Sequence, residues 1–301
     1  MALVVAAANG FHLFYILFPE LGALVSDVLL RPGGKWAREP WKLVCTPVIG
    51  GAIGIVICRY MPYGVVSILT ATVLCIGVVF DLKSAVAPAI SAGVLPIVLG
   101  VTSWLYPACI LGSLLILTGI LLIWKRIPPG LLLMPIRDPD AKAIDVLESR
   151  PKGWRWLVAL LLFVGVLGLA AQLSGWRFIL FPPLIVMAYE MLGHPETCPW
   201  AKQPYTFPVV CTATAFVGLE ADVGLGVTPW AAALVVVFGC IALRIVRLRM
   251  PPAIAIGLIP FVLATPSLKY PISVAIGTCA LTLWFLLFRF LVPKPGSTTE
   301  Q

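Results

Sequence analysis

Charge is what this sequence has least of. Of its 301 residues only 11% are Asp, Glu, Lys or Arg, against 60% hydrophobic, and the mean hydropathy is +1.04. A soluble domain covers its surface with roughly a quarter charged residues. A fully water-facing surface is therefore excluded, and lipid is the expected outer solvent and main partner. In lipid every backbone N–H and C=O must be paired internally, which leaves helices or closed barrels. The apolar–polar alternation of barrel strands is missing too. Runs such as ACILGSLLILTGILLIW (108–124) and WAAALVVVFGCIALRIV (230–246) are apolar all round, so the expected spans are helices.

Histidine is almost absent. His12 and His194 cannot form a metal cluster, and there is no HExxH. The string GHPETCPW places His194, Glu196 and Cys198 at i, i+2, i+4 in a loop, a weak zinc pattern. No GxSxG, aspartate-rich prenyl-diphosphate motif or Walker A occurs. These absences argue against an enzyme, a cofactor, a metal and direct use of ATP. The eight cysteines (45, 58, 75, 109, 198, 211, 240, 279) form no CxxC pair and read as small apolar packing residues. MALVVAAANG has no basic region ahead of its apolar stretch, so no signal peptide is evident.

What the chain has is an internal repeat. APAISAGVLPIVLGVTSWLYP (87–107) aligns without a gap on PPAIAIGLIPFVLATPSLKYP (251–271), 164 positions on. At that offset Pro88, Gly93, Pro96, Tyr106 and Pro107 match Pro252, Gly257, Pro260, Tyr270 and Pro271. Pro19, Trp36, Pro40 and Gly54 likewise match Pro183, Trp200, Pro204 and Gly218. Chance similarity between apolar segments supplies scattered Leu and Val, not prolines and tryptophans in register.

Each copy reads as five apolar segments, at about 11–31, 43–60, 64–80, 85–101 and 104–124, then 177–192, 205–222, 228–245, 251–265 and 270–291. A helix at about 156–173 precedes the second copy, and only MALVVAAA remains of its counterpart. The expectation is an all-α polytopic protein of about 11 transmembrane helices in two parallel tandem repeats with Pro/Gly-broken helices. Its parts are a first repeat (1–124), a cytoplasmic linker (125–155) with a short helix near 141–149, a second repeat (156–292) and a cytoplasmic tail (293–301).

Single crossings with the 31–42 loop inside put 18 of the 21 Lys and Arg on the cytoplasmic side, leaving Arg59, Arg177 and Lys269 outside. By the positive-inside rule this predicts a multi-pass cell-membrane protein with its N-terminus out and C-terminus in. Re-entrant segments would change the parity. The net charge of +8 then reflects cytoplasmic loops, not a nucleic-acid partner. A homo-oligomer is compatible with all of this.

Interrupted helices near the bilayer midplane are where transporters of this kind hold substrate. The 85–101 and 251–265 segments carry Pro88, Gly93 and Pro96, and Pro252, Gly257 and Pro260. An internal proline frees the carbonyl four residues back, here Ala92 and Ile256. These positions and Lys269, an anion attractor or simply an external lysine, are the expected substrate site. A plain kink is the alternative. Acidic residues inside spans default to functional candidates, which makes Glu20, Asp27 and Glu190 candidate coupling groups. Glu20 lies deepest, opposite Leu184 of the second copy. Asp27 and Glu190 lie near the cytoplasmic boundary, where pairing with Arg31 or a neighbour is an equal reading. His12 reads as interfacial.

The order of features in each copy resembles the HPP family of membrane proteins. KWAREPWK (35–42) and PWAKQPYT (199–206) stand where that family has a PLAQPR-like string. MPPAIA (250–255) and VAPAIS (86–91) stand at its HPPAGA, with Met250 and Val86 in place of the histidine. The resemblance covers nearly the whole chain as two fused units. It implies a secondary transporter or facilitator of a small polar solute, with small inorganic anions such as nitrite the cargo suggested for some members. The rival expectation is a non-transporting membrane scaffold or sensor.

Overall fold

A computed structural model describes residues 18–126 and 146–291. The linker positions 127–145, most of the helix expected near 141–149, His12, the first apolar stretch and the tail lie outside the described residues. Within them the chain is all helical, 78% helix with no strand.

Prolines set the helix starts. α1 (Glu20–Leu30) follows Pro19, and the one-turn α2 (Lys35–Arg38) follows Gly34. α3 (Pro40–Tyr60), α5 (Pro88–Leu99), α8 (Pro182–Gly193), α9 (Pro199–Lys202), α11 (Pro229–Ile245) and α12 (Pro252–Leu258) each open on a proline, whose missing N–H costs nothing in a first turn. The others are α4 (Val65–Asp81), α6 (Leu105–Trp124), α7 (Arg155–Ser174), α10 (Thr206–Leu225) and α13 (Lys269–Leu291), with 3₁₀ turns at Arg177–Leu180 and Ile259–Val262.

Five of these, α3, α6, α7, α10 and α13, are long and apolar enough to cross a membrane. α4 and α11 reach 17 residues, whereas α5 and α8 have only 12. At 1.5 Å per residue, 12 residues cover about 18 Å of a hydrocarbon core about 30 Å thick. The expected segments at 85–101, 177–192 and 251–265 are thus short helices with irregular or 3₁₀ flanks. Burial makes that tolerable, since irregular backbone at membrane depth survives only inside protein: α5 is buried from Pro88 to Val98 and α8 from Pro182 to Leu192.

Side-chain contacts nevertheless carry the α5 segment from end to end. The Trp36 indole N–H donates to the Ala85 carbonyl (2.9 Å), beside the start of α3, and Arg59 Nε donates to the Thr102 carbonyl (2.8 Å), at its finish. Around this buried layer the longer helices expose Ile116, Ile123, Leu173, Leu283 and Phe290. Aromatic rings ring both ends: Trp41, Trp154 and Tyr205 at one, Tyr60, Trp104 and Trp230 at the other. That is where amphipathic rings settle at the two faces of a bilayer.

Element bounds fall at the sequence offset. Val65–Asp81 and Pro229–Ile245 lie 164 residues apart, as do the one-turn helices Lys35–Arg38 and Pro199–Lys202. The residues Lys83 (φ 48°) and Arg247 (φ 54°), also 164 apart, are the non-glycine residues with positive φ among those described. Each sits in a left-handed turn that closes its helix through Ser84 N–H to Val79 O and Leu248 N–H to Leu243 O, both 2.9 Å.

In each half a central helix, α3 or α10, crosses a short one, α5 or α12, almost backbone on backbone. A β-carbon on Gly54 would overlap the Gly93 carbonyl oxygen, and one on Gly218 the Gly257 carbonyl oxygen. The halves interlock at the centre, because α1 packs on α12 and α8 packs on α5.

Candidate functional site

Three of the buried charged groups lie on α1 or at its end. Glu20, Asp27 and Arg31 are seven and eleven residues apart, which places them on one face of a 3.6-residue helix. All three are buried. The corresponding face of α8 has Leu184 and Met191.

At the middle, the Ser91 hydroxyl on α5 donates to Glu20 Oε1, and Glu20 Oε2 has no hydrogen-bond partner among the described residues. The carboxylate is within electrostatic reach of Tyr106 and Tyr270. Those two tyrosines occupy the carbonyls expected to be free. Tyr106 Oη donates to the Ala92 carbonyl (3.0 Å) and Tyr270 Oη to the Ile256 carbonyl (2.6 Å), all buried. Two expectations are corrected here. α5 runs unbroken through Pro96, and only Pro260 stands at a change of helix type, in the 3₁₀ turn that continues α12. Gly93 and Gly257 are close-contact glycines, with the Gly50 and Thr214 carbonyl oxygens each 3.1 Å from where a β-carbon would stand. Pro88 and Pro252 are first-turn helix starters.

At the end holding Arg59 and Trp104 there is a cleft of about 320 Å³ between the two halves. Val98 and Leu99 from the end of α5 face Leu263, Ala264 and Thr265 beyond the 3₁₀ turn. Lys269 and Arg177 bring positive charge to its walls, and Tyr270 lies at its base. Lys269, expected ahead of a helix, is the first residue of α13. Arg177 stacks on the Tyr63 ring, 4.4 Å from its centroid. Arg177 escaped the sequence reading as a site residue, although its place among three cations on the sparsely charged side was a usable signal.

At the opposite end Arg31 joins Asp27 (3.3 Å) and Glu148 (2.9 Å) in a buried pair of ion bridges. For Asp27 this is the boundary pairing with Arg31. Glu190 lies within electrostatic reach of Glu148 and Asp27, and Arg249 within reach of Asp27 and Arg31, so three carboxylates from three chain segments gather near two guanidiniums. Glu148 belongs to the linker. Next to it the Ser149 carbonyl is 2.9 Å from His194 Nε2, and burial pushes the His194 imidazole below its ordinary pKa. Arg150 lies over the Phe80 ring at 5.2 Å. Residues 148–150 thus tie α1, α4 and α8 together.

Compared with known protein families, curated proteins and solved structures, the chain matches none.

Proposed function

We propose that this chain is a secondary transporter or facilitator for a small polar solute, a small inorganic anion such as nitrite fitting best, and that it works in the cell membrane. The observation that carries the reading is the cleft between the halves, whose cationic walls (Arg177, Lys269) lead to Tyr270 and, beyond it, to buried Glu20. An anion entering there meets two cations and the Tyr270 side chain before it meets a carboxylate. Glu20 is the candidate coupling group, since a buried carboxylate can carry a proton or oppose a cation.

In this proposal the two halves descend from a tandem duplication and are related by an axis along the membrane normal. The 164-residue offset of matching prolines, helix bounds and tyrosine–carbonyl bonds supports it. The end bearing Arg59, Arg177 and Lys269 faces outward, and the end bearing the other described cations faces the cytoplasm. About 11 crossings follow, with the HPP-like strings as further support.

Uptake into proteoliposomes tests this. Purified protein should admit nitrite or a similar anion without ATP, and transport appearing only with an added ATPase subunit would overturn it. A scaffold or sensor is the second reading. It is favoured by the capping of both carbonyls by tyrosines and by the apolar packing of Leu184, Ile185, Ala188 and Ile256 in one buried core.

A further inference from the structure

The cytoplasmic-type end carries a second, larger cleft of about 520 Å³, remote from the proposed transport site. Three separate stretches of chain wall it: α2, the turn after α4, and linker residues 148–150. Lys35 and Arg38 come from the first, Lys83 from the second and Arg150 from the third. Two carboxylates also line it, but each is engaged by a cation from outside the lining. Glu39 is bridged to Lys42 (2.8 Å) and Glu148 to Arg31 (2.9 Å). Among the described residues the lining thus holds four cations to two carboxylates, with Ser84 and Ser149 alongside.

Lys83 holds its place at a cost. Its φ of 48° belongs to the left-handed region, where glycine is the ordinary residue. The cleft also opens at the level of a ring of exposed aromatics, Trp41, Trp154 and Tyr205, which are 55%, 69% and 74% exposed. Rings of that kind sit at headgroup depth in a bilayer, and basic pockets between helices at that depth suit phosphate-bearing headgroups.

We propose that this cleft binds the phosphodiester headgroup of an anionic phospholipid. Lys35, Arg38 and Lys83 hold the phosphate from one side and Arg150 from the linker side, so that the lipid joins the linker to the first half. The proposal is independent of transport.

The test uses full-length protein in nanodiscs of phosphatidylcholine, with and without phosphatidylglycerol, and reads thermal unfolding and lipid retained in native mass spectra. Phosphatidylglycerol should raise the unfolding temperature and remain bound. Lys35→Gln with Arg38→Gln, and separately Lys83→Gly, should each lose more than half of that gain. Arg244→Gln with Arg289→Gln, which removes two cations outside the cleft, should keep it. Lys83→Gly relieves backbone strain, so it stays decisive even if the double variant folds poorly. A full gain in Lys83→Gly overturns the proposal, as does equal loss in the control. Inorganic phosphate giving the full gain in pure phosphatidylcholine would assign the cleft to a soluble anion and overturn the lipid.

Discussion

The hydroxyl of Tyr270 donates a 2.6 Å hydrogen bond to the carbonyl of Ile256, the residue four before Pro260. Tyr106 does the same for Ala92, four before Pro96, at 3.0 Å. A proline that frees a carbonyl inside a membrane bundle creates a debt no water can settle, and in both halves a tyrosine from the following helix settles it. Replacing either tyrosine by Phe keeps the ring and orphans the carbonyl. We expect each of Tyr106→Phe and Tyr270→Phe to cost about 1–3 kcal/mol, measured by denaturation in detergent. A variant as stable as wild type would show that the carbonyl finds another donor.

Glu20→Gln keeps the shape and removes the titration. In the transporter reading it abolishes uptake driven by a pH gradient while circular dichroism and chromatographic behaviour stay unchanged. Ser91→Ala, which removes the hydroxyl bonded to Glu20, should weaken the same uptake without abolishing it. Undiminished pH-driven uptake in Glu20→Gln would remove Glu20 from the mechanism.

Gly54→Ala and Gly218→Ala each drive a methyl into a facing carbonyl. Overpacking of this sort costs roughly 1–3 kcal/mol or more, so both should show lower unfolding temperatures and yields. Gly77→Ala and Gly112→Ala, whose methyls meet nothing within 4 Å, should be neutral or stabilising by up to about 1 kcal/mol. Equal effects in both pairs would contradict the close crossing.

Arg31→Met removes the cation bridged to both Asp27 and Glu148, while Arg249 stays within electrostatic reach of Asp27. Breaking a buried pair in this way costs about 3–5 kcal/mol. Glu148→Gln, which leaves Arg31 its bridge to Asp27, should cost clearly less. Urea titrations of the two variants give the comparison.

Much of this was readable from local pattern. The offset that paired Pro96 with Pro260 also paired the tyrosines, although their bonding to Ala92 and Ile256 was not legible, and the prolines read as breaks serve mostly as helix starts. Asp27 beside Arg31 was legible because four residues is one helical turn. Glu148 was not, because its bond to Arg31 spans 117 positions and no periodicity links them. Nor was the continuity of α5 through Pro96, because a buried helix can lose one backbone bond if a side chain replaces it. The short helices α2 and α9 were hidden by charged, proline-rich strings that look like loops.

The crossings at Gly54 and Gly218 have a mechanical meaning. Two helices touching through their backbones have no side chains between them to re-pack, so α3 with α5, and α10 with α12, behave as stiff struts. Sliding one member past the other would drive glycine carbonyls into the opposite chain. The compliant surfaces of the molecule are the seams where α1 leans on α12 and α8 leans on α5. A cycle that widened the cleft at Lys269 would therefore have to carry each strut whole.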